Sequence, residues 1–303
     1  MSRRSLTSRA TRWVIRSGRV QQAALASGAL EELARPYVAG ALPTTAVETA
    51  DVLRSRGLEV SFAYLPTSDS ESESPAALGE LLMNLDESAA GVELSVKPSQ
   101  VGLRESEERA RVTLLDLAAR AEAQGAHVTL EMQGPAHYLE TLRLWRSVRE
   151  RHPSLGITLP VDIRRSEHDL RAIVDESPRV RLCIGSYPVP SALAVRGEQE
   201  KSKALVRCMR LGIESGATVL LASHDPTIIA IMHELGRRNP RADFEFQMHY
   251  GVRPLEQRRL ADIGYRSRVL LPYGPGWYEY LLTRVAARPQ TAWGYLRAVF
   301  DKR

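Results

Sequence analysis

Several things are scarce in this chain, and each scarcity excludes a class of protein. Two cysteines, Cys183 and Cys208, are all that 303 residues contain. That is too few for a disulfide framework, and a reduced, cytoplasmic protein is expected. No run of about 18 apolar residues is present, so no membrane-spanning helix is expected. No glycine-rich fingerprint follows the first apolar run, which argues against a Rossmann domain. No basic stripe with interleaved aromatics marks a nucleic-acid surface. Cys183, His137, His168 and His249 share no metal-ligand spacing, and no metal is expected. No acid precedes Glu31, and the six charges before it are all arginines: Arg3, Arg4, Arg9, Arg12, Arg16 and Arg19. Around Trp13, Val14 and Ile15 these fit either a basic amphipathic helix touching an anionic membrane surface or a solvated terminus.

What is present is a regular alternation. Short runs rich in Val, Leu and Ile occur at 58–65, 91–97, 127–132, 156–163, 179–185, 217–223, 244–248 and 268–274. Their length and continuity suit parallel strands covered on both faces. Longer helical patterns separate them. One, 104–124, ends at Gly125, a C-cap signal. Another, 136–151, carries Leu139, Leu142, Trp145 and Val148, read as one buried face. Eight such units predict an α/β fold, a (βα)8 TIM-type barrel over 57–303, preceded by an N-terminal helical segment over 1–56. The acidic segment 68–75, SDSESESP, is expected as a mobile loop after the first strand.

A barrel of this kind places its chemistry at strand C-terminal ends. Lys97, the only lysine in the first 200 residues, closes the second strand. An ammonium there can hold a carboxylate, or simply snorkel to solvent. Glu131 and Met132 end the third strand; the glutamate can orient Lys97 or a substrate amine, or form a structural salt bridge. Ser223, His224 and Asp225 are consecutive, which excludes a Ser-His-Asp triad. They suit a helix opening, as a phosphate contact, a polar cap, or both. Aromatics crowd the end of the eighth run, from Tyr273 to Tyr280, and Arg284 follows in the next helix.

The stretch from Asp243 to Pro289 resembles the C-terminal part of the proline dehydrogenase family, flavoenzymes on a (βα)8 barrel. The run RLCIGSY (181–187) is similar to the family's R-L-x-K-G-A-Y, Lys97 stands at the lysine of its V-x-K, and Ser223–His224 is similar to its T-H. The resemblance implies FAD as cofactor and hydride transfer from proline, or a related cyclic amine, to flavin N5. It implies Arg181 beside N5, where a fixed positive charge supports the reduced flavin. Met132, Ile184, Gly185 and Ser186 would line the cofactor, and Ser223 and His224 its pyrophosphate and adenosine side. Lys97 and Arg284 would anchor the substrate carboxylate, with Tyr187, Leu270, Tyr280 and Thr283 around the substrate. A quinone or another electron acceptor is implied as redox partner.

The departures are concentrated in the pocket. Ala63, Pro66 and Thr67 replace the family's Asp, Gly and Glu, Pro160 replaces a flavin-contacting Gln, and Ile184 replaces a lysine. Leu270 stands where a tyrosine packs the ring, and Thr283 replaces the first of two adjacent arginines. Thr67 and Thr283 together replace an ion pair, so neither strands a buried charge. Three readings follow: a proline dehydrogenase, the same chemistry on a modified, less anionic proline-like substrate, and a barrel that binds no flavin and serves a binding or regulatory role.

Overall fold

A computed structural model describes residues 34–67 and 71–281. The basic terminus, Thr283 and Arg284 lie outside them. Eight parallel strands close into a barrel in chain order: β1 (Glu59–Tyr64), β2 (Glu93–Val96), β3 (His127–Leu130), β4 (Gly156–Pro160), β5 (Arg179–Cys183), β6 (Thr218–Ala222), β7 (Phe244–His249) and β8 (Ser267–Tyr273). Closure comes from β1 pairing with β8, from Glu59 opposite Arg268 to Tyr64 opposite Tyr273. Every expected strand is present, within three residues of its expected ends.

Among the described residues the helices are α1 (Pro43–Arg54), α2 (Ser74–Leu85), α3 (Glu107–Ala123), α4 (Tyr138–Arg149), α5 (Ser166–Arg171), α6 (Glu198–Glu214), α7 (Pro226–Arg238) and α8 (Pro254–Asp262). Helix α3 is capped by the Ser106 side chain and is followed by Gly125 at φ +69°, as the sequence implied. Helix α1 packs Ala46, Ala50 and Leu53 into the same core as the barrel.

Three expectations are corrected. Leu139 is 48% exposed, whereas Leu142, Trp145 and Val148 are buried. At about 100° per residue, nine residues put Leu139 on the side of the helix opposite Val148. The segment 68–75 is not a loop throughout: Glu71–Glu73 form a 3₁₀ turn, and Ser74 and Pro75 open α2. Proline in the first turn and acids beside a helix N-terminus both favour that start. The aromatics after β8 serve packing. Tyr273 faces outward against Phe62 and Tyr64, and Trp277 and Tyr278 join Ala34, Val38 and Leu65 in a small second core.

The barrel interior is polar to an extent that the apolar runs hide. Successive strand residues alternate between barrel and helix layer. Glu93, Arg179, Arg181, Glu245, Gln247 and Arg268 all occupy inward positions and are buried. Arg179 bridges Glu93 at 2.9 Å and Glu245 at 3.3 Å, and Arg268 reaches Glu245 at 2.7 Å and pairs with Glu59 at the rim. Ser61 and Thr129 donate to the remaining acceptor capacity of Glu93, at 2.7 and 2.6 Å. Burial alone would raise the Glu93 carboxyl; Arg181, Arg179 and Arg268 outweigh it and hold it well below the usual range.

Candidate active site

The upper end of this network forms the floor of a cavity of about 690 Å³ at the strand C-terminal ends. That volume is in the range of cofactor and small-ligand sites. Arg181 is 5% exposed and lines it. Its Nε donates to Gln247 at 2.6 Å, its Nη1 to Ser95 at 2.7 Å, and its Nη2 to Glu93. Three side chains from two strands, β2 and β7, therefore fix one guanidinium, and its orientation is set before any ligand arrives. Ser95 passes the chain on by donating to Glu131 at 2.8 Å.

Glu131 lines the cavity with Met132, Ile184, Gly185, Ser186, Tyr187, Ser223, His224 and Leu270. The structure thus brings nine sequence-expected residues together around Arg181. Lys97 is not among the lining residues: it follows β2, half-buried, with its backbone N–H on Gln100. No Lys97–Glu131 ion pair forms, and Ser95 holds the glutamate instead. Tyr280 packs against the small second core and not the cavity.

Several walls are more committed than the sequence implied. The amide of Gly185 donates to Asp162 Oδ1 at 2.8 Å, and a Cβ on Gly185 would lie 2.6 Å from that oxygen. Glycine is required here by the Asp162 carboxylate. Asp225 caps α7, accepting from Thr227 N–H at 2.8 Å and Ile228 N–H at 3.4 Å. A capping carboxylate makes that helix terminus a poorer phosphate site than its sequence suggested. His224 Nε2 accepts from the His249 backbone N–H at 3.0 Å, and the two rings stack 5.3 Å apart. An accepting Nε2 cannot carry the proton, so Nδ1 bears it in the neutral ring.

Tyr187 stands at the mouth, 40% exposed, with its Cβ 3.3 Å from where a Cβ on Gly134 would sit. Burial of its hydroxyl, then the Glu131 charge, push its pKa up to about 12. Burial likewise pushes the Cys183 thiol up to about 12, making it an inert wall. Thr158 Oγ1 lines the cavity, buried and without a hydrogen-bond partner. An orphan hydroxyl in a cavity is a place for a polar ligand atom.

Sequence reasoning missed Glu93, Ser95, Thr158, Asp162, Gln247 and, Arg181 apart, the other members of the network. The signal was present in the two-residue period: Glu93-Ser95, Arg179-Arg181, Glu245-Gln247 and Arg268 recur on inward positions of four strands. No group of His, Cys, Asp and Glu among the described residues could hold a metal. No helix among them is long and apolar enough to cross a membrane.

Proline dehydrogenase 1 of Bacillus subtilis is 33% identical over 275 residues, spanning 89% of this chain and 91% of that protein. The chain belongs to the proline dehydrogenase family. The family's Deinococcus radiodurans member is 29% identical over 292 residues, spanning 90% of this chain and 92% of its own. No protein-family model matches the chain. Among solved structures, proline utilization A of Bdellovibrio bacteriovorus superposes with TM-score 0.75 at 19% identity over 85% of this chain. A proline utilization A variant from Bradyrhizobium japonicum does so with TM-score 0.67 at 18% identity over 82%. This chain spans about a third of those two longer chains, 33% and 30%, and at such identity they bear on the fold alone.

Proposed function

We propose that this protein is an FAD-dependent dehydrogenase that oxidises proline or a closely related cyclic amine at the ring carbon beside nitrogen. One observation carries the reading: a guanidinium locked by three side chains from two strands at the base of a cofactor-sized cavity, in a chain of this family. The residues present fit the cofactor. The cavity is large enough, Thr158 offers an unused hydroxyl, and Arg181 offers a preorganised positive charge.

FAD, when bound, supplies the hydride acceptor. Met132, Ile184, Gly185 and Ser186 form the wall that holds it, with Ser223 and His224 toward its phosphates. Arg181 supplies a charge that needs no rearrangement during the reaction, because Glu93, Ser95 and Gln247 already hold it. Glu131 and Tyr187 place the substrate, with Leu270 packing its ring. By the family resemblance Thr283 and Arg284 complete the substrate end together with Lys97, which stands outside the cavity lining. The electrons pass on to a quinone or a comparable acceptor. The arginine-rich terminus supports contact with an anionic membrane surface, for a protein resident in the cytoplasm.

A specific observation favours a less anionic substrate than free proline. Glu131 and Asp162 line the cavity, and among the described lining residues the fixed cation is Arg181, already shared with Glu93. Anaerobic addition of L-proline and of L-prolinamide to the FAD-loaded protein tests both points. Bleaching of the flavin by either supports the dehydrogenase, with faster bleaching by L-prolinamide expected. A flavin that no cyclic amine reduces overturns the reading.

A further inference from the structure

Four acidic side chains among the described residues are more than nine-tenths buried: Glu93, Asp162, Asp169 and Glu245. Three are ion-paired, Glu93 with Arg179 and Arg181, Glu245 with Arg268 and Arg179, and Asp169 with Arg165. Asp162 has no ion pair; a neutral amide, the N–H of Gly185, holds its Oδ1. Charges are buried without a counter-charge only at a cost, so an uncompensated one at a cavity wall is a charge presented to what occupies the cavity.

The carboxylate is held rigidly. It lies against the Gly185 α-carbon, where a Cβ would meet Oδ1 at 2.6 Å and Oδ2 at 3.1 Å. The Asp162 carbonyl accepts from Val195 N–H at 2.8 Å, and Arg164 N–H donates to Leu193 at 2.8 Å. Ile163 bridges Ala194, so the segment after β5 straps the end of β4 in place. The cavity wall therefore carries, beside Glu131 and the helix-capping Asp225, a fixed positive charge in Arg181 from inside the barrel and a fixed negative one in Asp162 from the loop after β4.

We propose that Asp162 is a charge-setting residue of the cofactor wall: its carboxylate opposes Arg181 and lowers the reduction potential of the bound flavin. This rests on the flavin-dependent reading above, since Gly185, to which Asp162 is fastened, is a residue of the proposed cofactor wall. Two-electron reduction places negative charge on the flavin. A neighbouring carboxylate disfavours that charge, as the guanidinium favours it. The balance of the two sets how readily electrons enter from an amine and leave to an acceptor.

The test is the midpoint potential of the FAD-loaded protein and of Asp162→Asn at one pH. The amide oxygen of asparagine can still accept from Gly185, so the variant removes charge and retains the anchor. The expected result is a shift of roughly tenfold or more toward the reduced form, about 30 mV upward for a two-electron couple. Tighter sulfite binding by the oxidised variant is expected for the same reason. An unchanged or lower potential, with flavin retained, overturns the inference and leaves the dehydrogenase reading standing. Asp162→Ser is the second neutral variant; loss of flavin in both shows that Asp162 holds the wall instead of setting its charge, and also overturns it. A native protein that takes up no FAD sinks the functional reading itself.

Discussion

At the residue scale, Arg181 and Gly185 carry the most specific consequences. Arg181 is buried, oriented by three partners and aimed at the cavity. Replacing it with Met removes preorganised charge where charge develops, so the rate of flavin reduction by substrate should fall roughly 10²- to 10³-fold. Stopped-flow reduction of the FAD-loaded variant checks this, and a loss under about threefold would contradict it. Gly185→Ala places a methyl within 2.6 Å of Asp162 Oδ1 and 3.1 Å of Pro160 Cβ. A destabilisation of about 1–3 kcal/mol is expected from the overpacking, read by chemical unfolding, with weaker FAD retention. The sequence identified both residues through the R-L-x-K-G-A-Y resemblance. For Gly185 the structure adds a second constraint, since the Asp162 carboxylate occupies the space a Cβ would need. Asp162 itself was invisible, because it becomes a neighbour of Gly185 only when β4 and β5 pair.

At the scale of elements, the strands were legible and their interior was not. Short apolar runs between glycines and polar turns marked all eight strands, since each must bury both faces. Apart from Arg181, the polar inward residues of β2, β5, β7 and β8 were overlooked because Glu, Arg and Gln there alternate with Val, Leu and Phe that dominate a hydrophobic reading. Leu139 shows the same limit in a helix: steps of three are near enough to the true repeat to look periodic and far enough to drift off the face. The buried network makes a comparative prediction. Glu245→Gln removes a buried counter-charge shared by two guanidiniums, Arg179 and Arg268, and should cost about 3–5 kcal/mol. Glu59→Gln, at a position whose side chain is 35% exposed, should cost about 1 kcal/mol or less. Equal costs in urea titrations would contradict the network as described.

At the scale of the whole molecule, the buried charges predict how the fold responds to acid. Burial, then Arg179 and Arg268, push His127 below its ordinary value, so the native state takes up its proton at lower pH than the unfolded chain, which does so near pH 6.5. Its contribution is present above about pH 6.5 and is lost as pH falls. Glu93 and Glu245 are held low because their arginines outweigh burial. Their contribution is full above the unfolded carboxylate value of about 4.3 and is lost as pH drops toward the native values. All three act in the same direction. Unfolding free energy should therefore decline gently below about pH 6.5 and steeply below about 4.3. A flat profile through that window would contradict it.

The central claim is that the cavity above Arg181 is a flavin site. The most direct measurement is the near-ultraviolet and visible absorption spectrum of the purified protein after incubation with FAD and desalting. Flavin bands that stay with the native protein and weaken in Gly185→Ala are the predicted result. A colourless protein, with all added FAD recovered in the small-molecule fraction, would contradict the account and favour a barrel that works without a flavin.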